Sequence, residues 1–200
     1  MNYLAHLHLG GPQPGAMLGS LYGDFVKGTL DGRWPADIEA GIRLHRRIDV
    51  FTDSHPRVLQ AKQRFAPERR RYAGILVDLF FDHCLAADWQ AYADEPLGAF
   101  TARVYRLLHD TQELPGTLAV IAPHMAAQDW LGSYQDFAVM EQVVAGMSRR
   151  LTRPEGLVGG VAELERLYAP LREDFRAFYP ELQAFARHNG GTLGRADPPR

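Results

Sequence analysis

The stretch AGILVDLFFDHCLAADW, residues 73–89, is apolar on nearly every side of a helix, yet it carries Asp78, Asp82 and His83. A helix that is apolar all round is buried in its fold. Ionised carboxylates are costly there unless they are paired or hold a metal. Any fold this chain adopts has to bury this helix and supply its acids with partners.

The remaining pattern is helical as well. Apolar spacing predicts helices over about Ala16–Lys27, Pro35–Phe51, Arg57–Phe65, Arg71–Tyr92, Leu97–Asp110, Leu118–Trp130, Tyr134–Arg150, Gly160–Tyr168 and Leu171–Ala186. Pro35 suits a first helical turn. The residue before Pro56 is pushed out of the helical region, which closes that helix at TDSHP. No stretch alternates as a half-buried strand does, and no repeat or linker divides the chain. The expected fold is all-α: a single-domain helical bundle over residues 1–188, with a flexible Gly/Pro-rich tail at 189–200.

Composition narrows the function. A net charge of −2 argues against a nucleic-acid binder, which usually carries a strongly basic domain. The single cysteine, Cys84, excludes an internal disulfide framework and a Cys-rich zinc site, and reads as a buried thiol. No window reaches the roughly 20 apolar residues of a membrane span. The N-terminal MNYLAHLHLGG lacks the basic start and long apolar run of a secretion signal. A cytoplasmic protein without membrane contact is expected.

Polar residues recur on faces that should be apolar. At about 100° per residue, Ile38, Ile42, His45, Asp49 and Thr52 share one stripe, with Arg46 and Arg47 toward its borders. Met17, Leu21, Asp24 and Gly28 share another, so Asp24 is expected to point inward. Asp78 and Asp82 are i,i+4 neighbours, and YLAHLHLG adds His6 and His8 among leucines. One such residue is easily a hydrogen-bonded core group; four segments of them point to a shared centre. Imidazole and carboxylate without thiolate suit Mn²⁺, Fe or Zn²⁺. A metal neutralises buried carboxylates, and surplus groups would orient the ligating imidazoles. Arg46 and Arg47 offer forked donors to phosphoryl oxygens, although a solvated helix edge also accounts for them.

MNYLAHLHL, GSLYGDFVKG, GIRLHRRIDVFTDSHP and ILVDLFFDHCLAADW together resemble the signature blocks of the acyl carrier protein phosphodiesterase family, in order and spacing. Beyond about Asp94 the likeness is loose, resting on helical pattern and FYP near Tyr179. The resemblance implies a helical fold distantly similar to HD-type metal phosphohydrolases. It also implies removal of the 4′-phosphopantetheine arm from holo acyl carrier protein, with Mn²⁺ as cofactor and Mg²⁺ or Fe²⁺ as alternatives. Carried over by position, it implies metal ligands among His6, Asp24, His45, Asp49, Asp82 and His83, with His8 a weaker match. On this reading Asp24 is ligand or general base, His83 donates a proton to the leaving serine oxygen, and Arg46 holds a non-bridging oxygen. Arg47 has no assigned catalytic role.

Acyl carrier proteins are acidic, so a basic docking patch is expected. AKQRFAPERRRY supplies Lys62, Arg64, Arg69, Arg70 and Arg71. Two other readings remain open: an HD-type phosphohydrolase acting on a nucleotide or other small phosphoester, and a non-catalytic helical binding protein whose His and Asp residues form a core network.

Overall fold

In the computed structural model, the apolar stretch is a helix, Ala73–Ala87, whose Phe80, Phe81, Asp82 and Leu85 are fully buried. The structure describes residues 1–148, 157 and 159–192. Among these the chain forms helices α1 (Tyr3–Leu9), α2 (Pro14–Tyr22), α3 (Ala36–Ser54), α4 (Pro56–Gln63) and α5 (Ala73–Ala87). They are followed by α6 (Leu97–Asp110), α7 (Gly116–Ala127), α8 (Trp130–Ser133), α9 (Met140–Ser148), α10 (Gly160–Arg166) and α11 (Tyr168–Thr192). No strand occurs among the described residues, and none of their helices is long and apolar enough to cross a membrane.

The long helix α11 lies against α3, α4 and α5, and the short α1 packs on α2 and α5. Phe65, Phe80, Phe81, Phe175, Phe178 and Tyr179 fill the centre. Helix α1 has no side-chain cap of its own. Its first amides are instead taken by a distant acid: Leu4 N and Ala5 N donate to the two oxygens of Asp82 at 2.8 and 3.2 Å. One of the acids in the apolar helix thereby has its partners, and α1 is tied to α5.

Helix ends differ from the sequence reading where local chemistry intervenes. Helix α3 runs past Phe51 to Ser54 and stops because His55, before Pro56, is extended (ψ 131°). The His55 side chain then accepts from Arg57 N and caps α4. Helix α2 ends at Tyr22 rather than Lys27. Gly23 caps it, and Phe25 N and Val26 N both fold back onto the Tyr22 carbonyl. Gly28 has φ +81°, a left-handed conformation that takes the backbone off any helical path. Helix α11 begins at Tyr168 and extends to Thr192, so 189–192 of the expected tail are helical; the rest of that tail lies outside the described residues. Of the helix expected over Tyr134–Arg150, a 3₁₀ turn at Phe137–Val139 and α9 form, and its last two residues lie outside the described ones.

The most extensive helix pair is α2 with α3, and it is a backbone contact. A Cβ on Gly19 would lie 2.2 Å from Ile38 O, and one on Gly41 would lie 2.8 Å from Ala16 O. Alanine in a helix interior normally gains up to about 1 kcal/mol over glycine, but neither carbonyl can move without separating the helices. Gly19→Ala is therefore expected to destabilise the protein by about 1–3 kcal/mol. A thermal melt should fall by several degrees; an unchanged or raised midpoint would show the contact to be soft.

Candidate active site

The α2–α3 contact carries Ser20 O to within 2.7 Å of His45 Nδ1. A carbonyl only accepts, so Nδ1 carries the proton and Nε2 presents its other valence outward. Four residues along α3, one turn on, Asp49 meets it: His45 Nε2 lies 3.2 Å from Asp49 Oδ2. From α1, His6 places Nε2 at 3.0 Å from the other oxygen, Asp49 Oδ1. The His6 and His45 rings stack with centroids 3.7 Å apart and planes inclined by 19°. Asp24, in the turn after α2, has Oδ1 3.8 Å from His45 Nε2. Both histidines are buried, whereas Asp49 is 42% and Asp24 40% exposed, so the cluster opens to solvent along its acidic side. The Met1 ammonium sits 3.2 Å from Asp78 and 3.9 Å from Asp49.

Burial pushes the His6 imidazole down to about 3, so it is neutral in ordinary conditions. Burial works to raise Asp49, but its contacts with the His45 and His6 imidazoles outweigh it and hold that carboxyl well below the usual range. Burial also raises Asp24, against the opposing charges of His45 and Lys27.

Proton accounting sets this cluster apart from His83 and the half-buried His8. His83 gives its Nδ1 proton to Tyr134 O at 2.8 Å, and its Nε2 faces the Tyr168 hydroxyl at 2.8 Å. His8 pairs with Tyr92 O at 3.1 Å and the Tyr179 hydroxyl at 2.7 Å. In both, a carbonyl takes the N–H and a hydroxyl can supply a proton to the other nitrogen. His45 has the carbonyl but no hydroxyl: its Nε2 meets two carboxylates, which have no proton to give. A neutral ring there sets a lone pair against anions. The alternatives are an imidazolium, stacked on His6, or a cation between the groups. His6 Nδ1 is moreover buried without a hydrogen-bond partner.

The donors suit a cation. His6, His45 and Asp49 each offer one ligand atom, all within 4.8 Å of one another. Two ligands at bond lengths of about 2.0–2.2 Å are spaced on the order of 3 Å when adjacent, close to the 3.0 and 3.2 Å found. Two imidazoles and a carboxylate match Mn²⁺, Fe or Zn²⁺.

Several sequence-predicted residues lie elsewhere. Asp82 is committed to the amides of α1, with its carboxyl pushed up to about 7 by burial. His83 is about 100° further round α5 and faces aromatic rings of Phe80, Phe137 and Tyr168, not the cluster. Asp24 reaches the site from a turn, because α2 ends before it. Arg46 is engaged in the fold: its Nη2 donates to Val26 O at 3.0 Å and holds the Asp24 turn. Nothing in the residue pattern singles out Ser20, whose contribution is a backbone carbonyl. Gly23 was legible only as the glycine before Asp24: a Cβ there would lie 2.2 Å from His45 Cγ.

Residues 1–182 match the family model described as acyl carrier protein phosphodiesterase. The chain belongs to that family. Relatives so named include proteins of Photorhabdus laumondii, 36% identical over 94% of this chain and 96% of the relative, and of Yersinia pestis, 34% identical over 94% and 98%. A third, from Salmonella agona, is 37% identical over 93% of this chain and 97% of its own. No solved structure matches the chain.

The His6 environment has a measurable consequence. Its folded value of about 3 lies below the ordinary 6.5, so between these the folded protein binds fewer protons than the unfolded chain. Stability is then lost as pH falls through that window. In chelator, urea unfolding of the wild type should lose about 2–3 kcal/mol more than His6→Gln between pH 7 and pH 4.5. Parallel losses in the two proteins would mean that His6 titrates normally.

Proposed function

We propose that this protein is a divalent-cation-dependent phosphodiesterase that hydrolyses the bond between 4′-phosphopantetheine and the serine of holo acyl carrier protein. The products are apo carrier protein and 4′-phosphopantetheine. The observation that carries the reading is His45 Nε2 aimed at Asp49 and Asp24 with no proton donor between them, in a member of this family. His6, His45 and Asp49 would hold the cation, with Mn²⁺ the first choice and Mg²⁺ or Fe²⁺ the others. When bound, it lowers the pKa of a water toward neutrality and polarises a phosphoryl oxygen.

Charge supports the same reading. A phosphodiester is an anion, and the mouth of the cluster is lined by Asp24, Asp49 and Asp78, all partly exposed. With only the Met1 ammonium to offset three acids, such a mouth repels the substrate. Asp24 is half-open beside His45 Nε2 and makes no hydrogen bond to either ring, and its raised pKa suits a base that takes the proton of the attacking water. Arg46 acts on Asp24 through the turn, by fixing the Val26 carbonyl. The Ser20 carbonyl keeps His45 in the tautomer whose Nε2 is free, and stacked His6 limits its tilt. The likeness to HD-type metal phosphohydrolases and a carrier protein of the cytoplasm as substrate belong to this reading.

Incubation with holo carrier protein and Mn²⁺ should remove the phosphopantetheine mass from the carrier, and chelator should stop the reaction until Mn²⁺ is restored. Turnover of small phosphodiesters with holo carrier left intact would favour the small-phosphoester alternative. No bound cation and no turnover of either would favour a binding protein. Gly23→Ala, which drives a methyl into the His45 ring, is expected to cut Mn²⁺ affinity and turnover about 10–100-fold in a protein that still folds. Undiminished affinity would remove His45 from the ligand set.

A further inference from the structure

The basic patch expected from the sequence is largely cancelled. Lys62 Nζ lies 2.8 Å from Asp53, Arg64 forks onto buried Asp174 at 2.7 and 3.2 Å, and Arg69 lies 2.7 Å from buried Glu163. These pairs fasten the α4–α5 region to α3, α10 and α11, and a charge so matched steers little. Of the five residues only Arg70 and Arg71 are exposed without a carboxylate partner among the described residues, and Arg71 lies over the Tyr72 ring at 6.0 Å.

Another surface keeps its charge. On the solvent side of α3, Arg43, Arg46, Arg47 and Val50 fall within about 100° of arc. Arg43 is matched by Glu39 at 3.4 Å. Arg46 and Arg47 instead donate to neutral oxygens, Val26 O at 3.0 Å and Asn189 Oδ1 at 3.1 Å, so both keep their full charge. Val50, one turn on, is 71% exposed, the most open large apolar side chain among the described residues. Lys27 is exposed one residue from the carbonyl that Arg46 grips. This face borders Asp49 on the same helix, beside the open side of the cluster.

We propose that Lys27, Arg47 and Val50, with the charge of Arg46, form the docking surface for the acidic acyl carrier protein. The identity of that partner rests on the function proposed above. The complementarity is specific in kind: three cations that form no salt bridge among the described residues lie along or beside the α3 face that carries one exposed aliphatic group, next to the half-open acids. A carrier seated on α3 brings its modified serine to the mouth where Asp24 and Asp49 lie, which a carrier held at Arg69–Arg71 on the far side of Lys62 and Asp53 would not.

The test is calorimetric titration of apo carrier protein, which has no arm to lose, into the Mn²⁺-loaded protein. Wild type should bind, and binding should weaken steeply from about 50 to 500 mM salt as screening shortens the reach of the charges. Lys27→Glu with Arg47→Glu should lower affinity about tenfold or more at low salt, Val50→Asp by a similar factor, and the milder Arg47→Gln by less. Arg70→Glu with Arg71→Glu should bind within about twofold of wild type. No binding by wild type, or equal binding by the Lys27/Arg47 and Arg70/Arg71 variants, would overturn the surface. Arm release from holo carrier is read separately by mass. Wild type that binds through α3 but releases no arm would sink the reaction and keep the surface. Lys27/Arg47 variants that release it with an unchanged KM would sink the surface and keep the reaction.

Discussion

The approach of α2 to α3 at Gly19 and Gly41 decides what the site can be. With no side chain between the two backbones, the carbonyl of Ser20 reaches the imidazole of His45 directly. That one bond settles which nitrogen faces outward, and every later property of the cluster depends on it. Were Nδ1 free to turn, Nε2 could take the carbonyl instead and the acids would face the wrong edge of the ring. A wide helix–helix packing thus has its functional meaning in a single hydrogen bond. Gly23 repeats the device on the same ring, where the chain passes too close to Cγ, Cδ2 and Nδ1 of His45 for any side chain.

The chain buries many more acids and imidazoles than the site uses, and satisfaction separates them. Asp82 takes two amides, Asp174 a forked arginine, and His83, like the half-buried His8, a carbonyl and a hydroxyl. These are finished interactions with nothing left to offer a ligand. The His6–His45–Asp49 group is unfinished: one orphaned nitrogen, one nitrogen against two acids, and a carboxylate shared between two rings. Buried polar groups are normally paired, and this cluster at a half-open surface departs from that rule.

The all-α fold was legible because apolar spacing is a local property, and so was the pairing of His45 with Asp49, which one helical turn guarantees. His6 was legible through the family blocks and through its place among leucines. Asp24 reached the site for a reason other than the one expected, since helical extrapolation past Gly23 assumed a path the chain does not take. Asp82 and His83 show the limit of the shared-centre argument: adjacent helical residues diverge, and a buried acid next to a helix N-terminus can be fully used as a cap. The basic patch misled for a related reason. Asp174 is 110 residues from Arg64 and Glu163 lies in α10, so no local reading reveals that those cations are already spoken for.

The tether between Asp82 and the start of α1 also bears on the order in which the molecule comes together. Helix α1 is 7 residues long, too short to persist alone in water, and the acid that fixes its first turn arrives 78 residues after Leu4. His6 therefore leaves the ribosome early but is not held in place until α5 has formed and docked. His45 and Asp49 already share one helix, so the arrival of α5 decides when the third member joins them.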